Sequence, residues 1–471
     1  MLEDKKRIHL IGAGGIGLSG IGRILLKEKK ILSGSDTVAT NLTGKLEREG
    51  MKFFLGQRAK NISKDMDLII ASAAIKENNP ELKEAKRRKI SVIIYAEALG
   101  LAMEKKFGIA VAGTHGKTTT TAMVTTILKE AGENPSFVIG GEVKELGGNS
   151  GIGSSDFLVA EACEFGGNFL HLKPKVAIVT NIEEDHLDYY RDLKEIKKAF
   201  VKFISLLPAD GFLVISEDAQ ETLASKEDLV VEAKKELPSS KAKVFTYGLK
   251  EGNDYQATGI SLQKNSTSFD ILYRKEFSAA LSLKIPGEHN ILNSLAAFAI
   301  GHQLGIKKNL IKNALDNFQG VGRRFEIKGE ISRVTVIDDY GHHPTEIKAT
   351  LSAVRQRYPV SRLIAVFQPH QYSRTRFFLD DFAKAFKKAN LIIVPNIYFV
   401  RDSAKEKRLV NSKSLVEKIK KNGGDALYIP DFTAIVNYLL KIVRSGDVIL
   451  TIGAGPVYQI ADELIKKLKN R

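Results

Sequence analysis

Apolar runs that break off into glycine or polar clusters recur along this chain, and stretches of helical period separate them. Such runs read as parallel strands buried on both faces, so the pattern predicts an α/β protein. Strands are expected at 8–11, 31–36, 67–71 and 91–95, forming one parallel sheet with helices between. A second unit opens at 108–112 and continues through apolar runs at 156–164 and 175–186. From 243 to 285 shorter alternating runs, 244–247, 267–273 and 280–285, predict a small antiparallel β-rich flap. Gly320-Val-Gly322 reads as a hinge into a third unit, with strands at 334–337, 363–367, 391–394 and 448–451. The expected architecture is three α/β domains: a Rossmann-like one over 1–104, a central P-loop ATPase type over 105–321 and a C-terminal Rossmann-like one over 322–471.

The junctions carry the candidate chemistry. Gly113-Thr114-His115-Gly116-Lys117-Thr118-Thr119 follows a strand and opens a helix. Free N–H groups and the positive dipole end of a helix favour a phosphate there, Lys117 reaches terminal phosphates, and Thr118 stands where a P-loop hydroxyl ligates Mg²⁺. The loop is a variant, because Val111 occupies the position five before Gly116 where glycine is usual. In the first unit, Gly12-Ala-Gly14-Gly15-Ile16-Gly17 fits the dinucleotide pattern, with Asp36 at the distance of a ribose-binding acid. On this motif NAD and a nucleotide sugar compete evenly. Glu161, Glu164, Asp185 and His186 fall at strand ends beside the phosphate loop, where carboxylates suit Mg²⁺. Asn290 is expected to cap a helix that carries Asn293. Asp338-Asp339-Tyr340-Gly-His342-His-Pro344 and Gln368-Pro-His370-Gln-Tyr-Ser-Arg374 hold too many polar groups for simple turns.

Composition narrows the picture modestly. With 471 residues, two to four domains are expected. The net charge of +16 is spread over helical surfaces such as 83–89 and 466–469, without a basic arm or interleaved aromatics, so no nucleic-acid partner is expected. The same field favours small polyanionic substrates. No apolar run reaches the roughly 20 residues of a membrane span, and the start of the chain leaves no room for a signal peptide. The single cysteine, Cys163, expected to be a buried, inert thiol, suits a reducing cytoplasm.

On Gly113-Thr-His-Gly-Lys-Thr-Thr119, Asn181-Ile-Glu-Glu-Asp-His186, the Asp338 to Glu346 segment and Phe367-Gln-Pro-His370, the chain resembles the Mur ligases over essentially its whole length. The last two segments point to the member that adds L-alanine. The resemblance implies an ATP-dependent ligase of cytoplasmic peptidoglycan synthesis, a monomer or homodimer. It would activate the lactyl carboxylate of UDP-N-acetylmuramate as an acyl phosphate and join it to L-alanine. By the same resemblance Gly12, Gly14, Gly15, Ile16, Gly17, Asp36 and Ser72 would hold the UDP-sugar. Gly113 to Thr119, with Asn290, Asn293 and Arg324, would hold ATP. Thr118, Glu161 and His186 would ligate Mg²⁺, and Tyr340, His342, His370 and Arg374 would form the alanine pocket. Lys117, Arg324, Asp339, His342 and His370 are the expected catalytic set, with His342 or His370 as proton acceptor. Gln371 replaces an arginine common in the family, which leaves more of the alanine carboxylate to Arg374, and no carbamylated lysine can be placed. The alternatives are a recycling ligase that attaches a tripeptide to the same nucleotide sugar, an NAD-binding oxidoreductase or sensor, and a basic nucleic-acid-binding NTPase.

Overall fold

The computed structural model describes residues 2, 4–224, 242–400 and 402–470. Three sheets organise them. The first is wholly parallel, in the order Lys52–Leu55, Ile31–Asp36, Arg7–Ile11, Leu68–Ala71 and Ser91–Ile94. The strand order reverses beside Arg7–Ile11, and a doubly wound sheet opens its ligand crevice at that switch point. Gly12 and Ser72 lie there, directly after their strands.

The central sheet has ten strands among the described residues. Phe107–Ala112, which leads into the phosphate loop, lies between Phe157–Glu161 and Val176–Val179 and runs parallel to both. The expected flap is a continuation of this sheet. Lys243–Gly248 pairs parallel to Phe212–Ser216, and Tyr255–Leu262, Thr267–Tyr273 and Glu276–Leu283 add two antiparallel pairs at that edge. Phe245 and Tyr247 are buried in the same apolar cluster as Leu295 and Phe298 of the helix Glu288–Gln303, which ties that segment to the central layer. The third sheet runs Glu326–Ile331, Val334–Asp339, Val448–Ile452, Leu363–Phe367, Leu391–Val394, Ala426–Tyr428, antiparallel only in its first pair. No helix among the described residues is long and apolar enough to cross a membrane.

The three units join in two different ways. One continuous apolar core runs from Leu10, Leu25 and Leu99 of the first sheet and its helices into Ala110, Leu158, Phe169 and Phe200 of the second. The C-terminal sheet buries its own two faces separately, around Ile347 and Phe367 on one side and Val366 and Ile460 on the other. Its contacts with the central unit include many polar ones. Arg374 pairs with Asp185 at 2.8 Å, Thr345 Oγ1 donates to Glu183 at 2.7 Å, and Gly287 N–H donates to Gln356 at 2.9 Å.

The apolar joint sets a strict demand at Gly100, on the helix Tyr95–Met103. A Cβ there would stand 2.0 Å from the carbonyl oxygen of His171 in the central unit, and backbone cannot yield cheaply. Gly100→Ala is therefore expected to destabilise the protein by about 1–3 kcal/mol through overpacking. Urea unfolding followed by circular dichroism measures this. An unchanged midpoint would mean that the two units are not tightly docked.

Candidate active site

The phosphate loop is built by backbone that only glycine adopts without strain. Gly113 has φ +135° and Gly116, which precedes the helix Lys117–Glu130, has φ +81°. A Cβ on Gly113 would stand 2.0 Å from Thr180 Oγ1, and one on Gly116 2.4 Å from Asn293 Oδ1. The loop is braced from beneath by the segment after the neighbouring strand. Asn181 accepts from His115 N–H through Oδ1 and from Thr114 N–H through its carbonyl, at 2.8 and 3.0 Å. Glu183 N–H donates to Thr114 Oγ1 at 2.9 Å.

Lys117 does not point outward. Its ammonium donates to the carbonyls of Gly113 and Thr114 and pairs with Glu164 at 2.9 Å. Burial opposes this charge, but Glu164, with Glu161 nearby, raises the ammonium above its usual value. Thr118 Oγ1 donates to Glu161 Oε2 at 2.9 Å, and Gly140 N–H donates to the same oxygen at 2.8 Å. This hydroxyl and carboxylate form a hard-oxygen pair that fits Mg²⁺. His186, expected beside them, instead faces Glu164 at 3.6 Å and Asp185 at 3.8 Å. Cys163, expected to be buried, is exposed; desolvation at its sulfur and the adjacent Glu164 still push the thiol up to about 12.

Above the loop lies a cavity of about 220 Å³ shared by the central and C-terminal units. It gathers His115, Gly116, Thr118, Thr119, Asn290 and Asn293 with Arg324 and Asp339. Asn290 is not the helix cap, because Gly287 takes that position. The Asn290 side chain lies inside the first turn, donating to Pro286 O and accepting from Asn293 Nδ2. Thr120 Oγ1 donates to Asn293 Oδ1, so this asparagine pair ties two helices together at the cavity wall. Arg324 lies 3.4 Å from Glu346 and over the Tyr340 ring. Asp339 accepts from Phe325 N–H and Gly341 N–H, and burial pushes its carboxyl up to about 6.

The expected alanine pocket is brought together in part. The His342 and His370 rings stand 6.0 Å apart, and His370 lies 3.4 Å from Arg374. Arg374, expected to be free for a carboxylate, is buried and bonded to Asp185 through two guanidinium nitrogens. Burial pushes His342 down to about 3, so it is a weak base at neutral pH. Tyr340 packs edge-on to His342.

In the first unit Gly12, Gly15, Asp36 and Ser72 line one open cavity of about 630 Å³. Asp36, expected to reach a ribose, is engaged within the loop. Gly14 N–H and Thr37 N–H donate to its two oxygens at 2.9 and 2.7 Å. Ile16 and Gly17 open the helix behind this turn, and its first N–H groups face no side-chain cap. A Cβ on Gly17 would meet the Tyr95 ring at 2.6 Å.

Glu183 and Glu346 lie within motifs of the sequence reading but were given no role there. They hold His115 between them, at 3.6 Å from Nε2 and 3.4 Å from Nδ1. The signal for Glu346 is a capping box, with His343 as cap, Pro344 first in the helix and Glu346 third.

A phosphate loop on a central α/β sheet, facing a C-terminal α/β unit across a shared cavity and backed by a second glycine-rich crevice, defines a three-domain nucleotide-handling enzyme. Residues 7–107 match the description "Mur ligase family, catalytic domain", 111–301 "Mur ligase middle domain" and 323–455 "Mur ligase, glutamate ligase domain". The UDP-N-acetylmuramate–L-alanine ligase of Caldanaerobacter subterraneus is 43% identical over 99% of each chain, and that of Acetivibrio thermocellus 44% over 98% of this chain and 96% of its own. The crystal structure of the UDP-N-acetylmuramate-alanine ligase of Thermotoga maritima superposes with a TM-score of 0.81 at 28% identity, covering 98% of this chain and 99% of the other. The chain belongs to the Mur ligase family.

The His115 cluster sets a pH dependence. Burial works against the imidazolium, but Glu183 and Glu346 outweigh it and push His115 up to about 9 from 6.5. A raised folded-state value gives stability that is complete below pH 6.5 and lost as pH rises through about 9. Between those limits the thermal midpoint of the native protein should fall relative to that of His115→Gln. Parallel melting curves from pH 6 to 10 read the difference, and a constant offset would exclude a charged His115 bridge.

Proposed function

We propose that this protein joins L-alanine to the lactyl carboxylate of UDP-N-acetylmuramate at the expense of ATP, the first addition to the peptidoglycan stem peptide. The observation that carries this reading is the end-to-end match to L-alanine ligases, with the phosphate loop and the C-terminal unit lining one cavity. A carboxylate is a poor acylating agent. Phosphoryl transfer from ATP makes it an acyl phosphate, the amine of alanine attacks that carbonyl, and phosphate leaves.

The residues divide this work among three units, bounded near 104 and 321. Gly12, Gly14, Gly15, Ile16, Gly17 and Ser72 receive the UDP diphosphate at a helix N-terminus, with Asp36 holding the turn in shape. Gly113 to Thr119 and Arg324 take the ATP phosphates, and Asn290 and Asn293 bound the nucleoside side. Thr118 and Glu161 would hold Mg²⁺, with His186 completing the set after His186 leaves Glu164. The ion supplies charge neutralisation for the transferring phosphoryl group. Lys117 exchanges Glu164 for phosphate oxygens, and Arg374 beside His370 exchanges Asp185 for the alanine carboxylate. His370, together with Tyr340 and His342, shapes the small amino-acid pocket. Because His342 is a weak base, proton acceptance falls to His370 or solvent. Asp339 fixes the loop through which the C-terminal unit covers the reactive acyl phosphate, so that water does not consume it.

A coupled phosphate-release assay across a panel of amino acids tests the reading. Release should require UDP-N-acetylmuramate and L-alanine together, and Lys117→Ala should lower turnover about 100–1,000-fold with UDP-sugar binding retained. Phosphate release indifferent to alanine would sink the proposal, and preference for a tripeptide would transfer it to the recycling ligase.

A further inference from the structure

His115 of the phosphate loop, Glu183 below it and His343 of the C-terminal unit place three ligand atoms within 4.8 Å of one another. His115 Nε2 stands 3.6 Å from Glu183 Oε2, and His343 Nδ1 stands 3.9 Å from the same oxygen. The two imidazole rings are 4.7 Å apart at their centroids. Ligands around a tetrahedral zinc ion are roughly 3.3–3.5 Å from each other, given metal–ligand bonds of about 2.0–2.2 Å. The two distances to Glu183 exceed that by a few tenths of an ångström, and the two imidazole nitrogens lie within 4.8 Å of each other.

Two independent features point to a ligand. The Nε2 atom of His115, the ring nitrogen aimed at Glu183, is buried without any hydrogen-bond partner. Buried ring nitrogens are normally satisfied. Behind His115, Nδ1 faces Glu346 Oε1 at 3.4 Å. A carboxylate on the far nitrogen is how zinc-ligating imidazoles are oriented, leaving Nε2 for the metal. Glu346 is itself fixed by the helix cap, and Glu183 by the Thr345 hydroxyl at 2.7 Å. The cation would take the place of a proton on His115 Nε2 and displace the 3.3 Å bond that His343 Nδ1 accepts from Thr345 N–H.

We infer that His115, Glu183 and His343 form a site for a borderline-soft divalent cation of the Zn²⁺ class, and that its occupation fastens the C-terminal unit onto the phosphate loop. Two imidazole nitrogens with one carboxylate select such an ion over Mg²⁺, which prefers oxygen donors such as Thr118 and Glu161. The ligands come from both units, so the ion binds only their closed arrangement and shifts the population toward it. A protein that must open to exchange nucleotide is then inhibited. The inhibition rests on the ligase reading above, whereas binding rests on the side-chain geometry alone.

The test uses the full-length protein, dialysed against ZnCl₂ with excess MgCl₂ and no nucleotide, then analysed for bound metal. One zinc equivalent should be retained, and Co²⁺ in its place should give the intense visible bands of tetrahedral coordination. His343→Gln and Glu183→Gln should each weaken zinc binding at least about tenfold, with metal-free melting curves showing that they are folded. Full-strength retention by both folded variants, or no retention by the native protein, would overturn the site. In the phosphate-release assay Zn²⁺ should inhibit the native protein, a zinc-selective chelator should reverse it, and His343→Gln should need at least about tenfold more zinc relative to its own metal-free baseline. Zinc retained at the site without inhibition would overturn the clamp and leave the site; no turnover under any condition would reject the ligase reading while the binding result stands.

Discussion

The phosphate loop keeps its shape because Asn181 supports it from below. One side-chain amide and one backbone carbonyl of this residue receive the N–H groups of His115 and Thr114, and the amide nitrogen donates to His115 O at 3.2 Å. With those groups satisfied beneath, the glycine at 116 turns the chain sharply into the helix Lys117–Glu130, and the N–H groups of its first turn remain available for phosphate. The support comes from the end of Val176–Val179, a neighbour of the strand that feeds the loop. The register of two parallel strands therefore decides the geometry of the site.

That dependence explains the contrast between the two joints. The first and central units share an apolar core, which is non-directional and is lost only by exposing it to water. The C-terminal unit meets the central one at the site largely through charged and hydrogen-bonded groups, each of which has a partner of comparable quality in water or in a substrate. A rigid platform with one releasable cover follows from this difference in chemistry. The C-terminal unit also supplies Arg324 and Asp339 to the cavity, so the site is complete only where the two units meet.

Features carried by local pattern were legible in the sequence. Glycine-rich turns after apolar runs located both crevices, because positive φ and strand burial each restrict residue choice over a few neighbouring positions. Edge strands such as Lys52–Leu55 and Glu326–Ile331 went unread, since none of their positions is fully buried and neither holds more than three consecutive apolar residues. Lys243–Gly248 looks like an antiparallel strand by its alternation, and its parallel pairing is settled by neighbours far along the chain. The same holds for side-chain partners. Asp36 stands where a ribose acid is expected, yet both its oxygens are taken by Gly14 and Thr37, and Arg374 meets an aspartate 189 positions away. Residue type announced the charge at each position, but only the fold chose its counter-charge.

Those counter-charges explain how a crowded set of cations tolerates burial. Lys117 rests on Glu164, Arg374 on Asp185 and Arg324 beside Glu346. An unpaired buried charge is strongly destabilising, so these carboxylates maintain the cations in position while no anion is bound. On the proposed reading, phosphate or carboxylate groups of substrates would displace an existing partner, and no newly buried cation would have to be desolvated. Glu164, once displaced, would lie beside His186 and close to Glu161 and the Thr118 hydroxyl, where a divalent ion would neutralise it. Anion binding and metal binding would thereby be coupled through Glu164, each making the other more favourable.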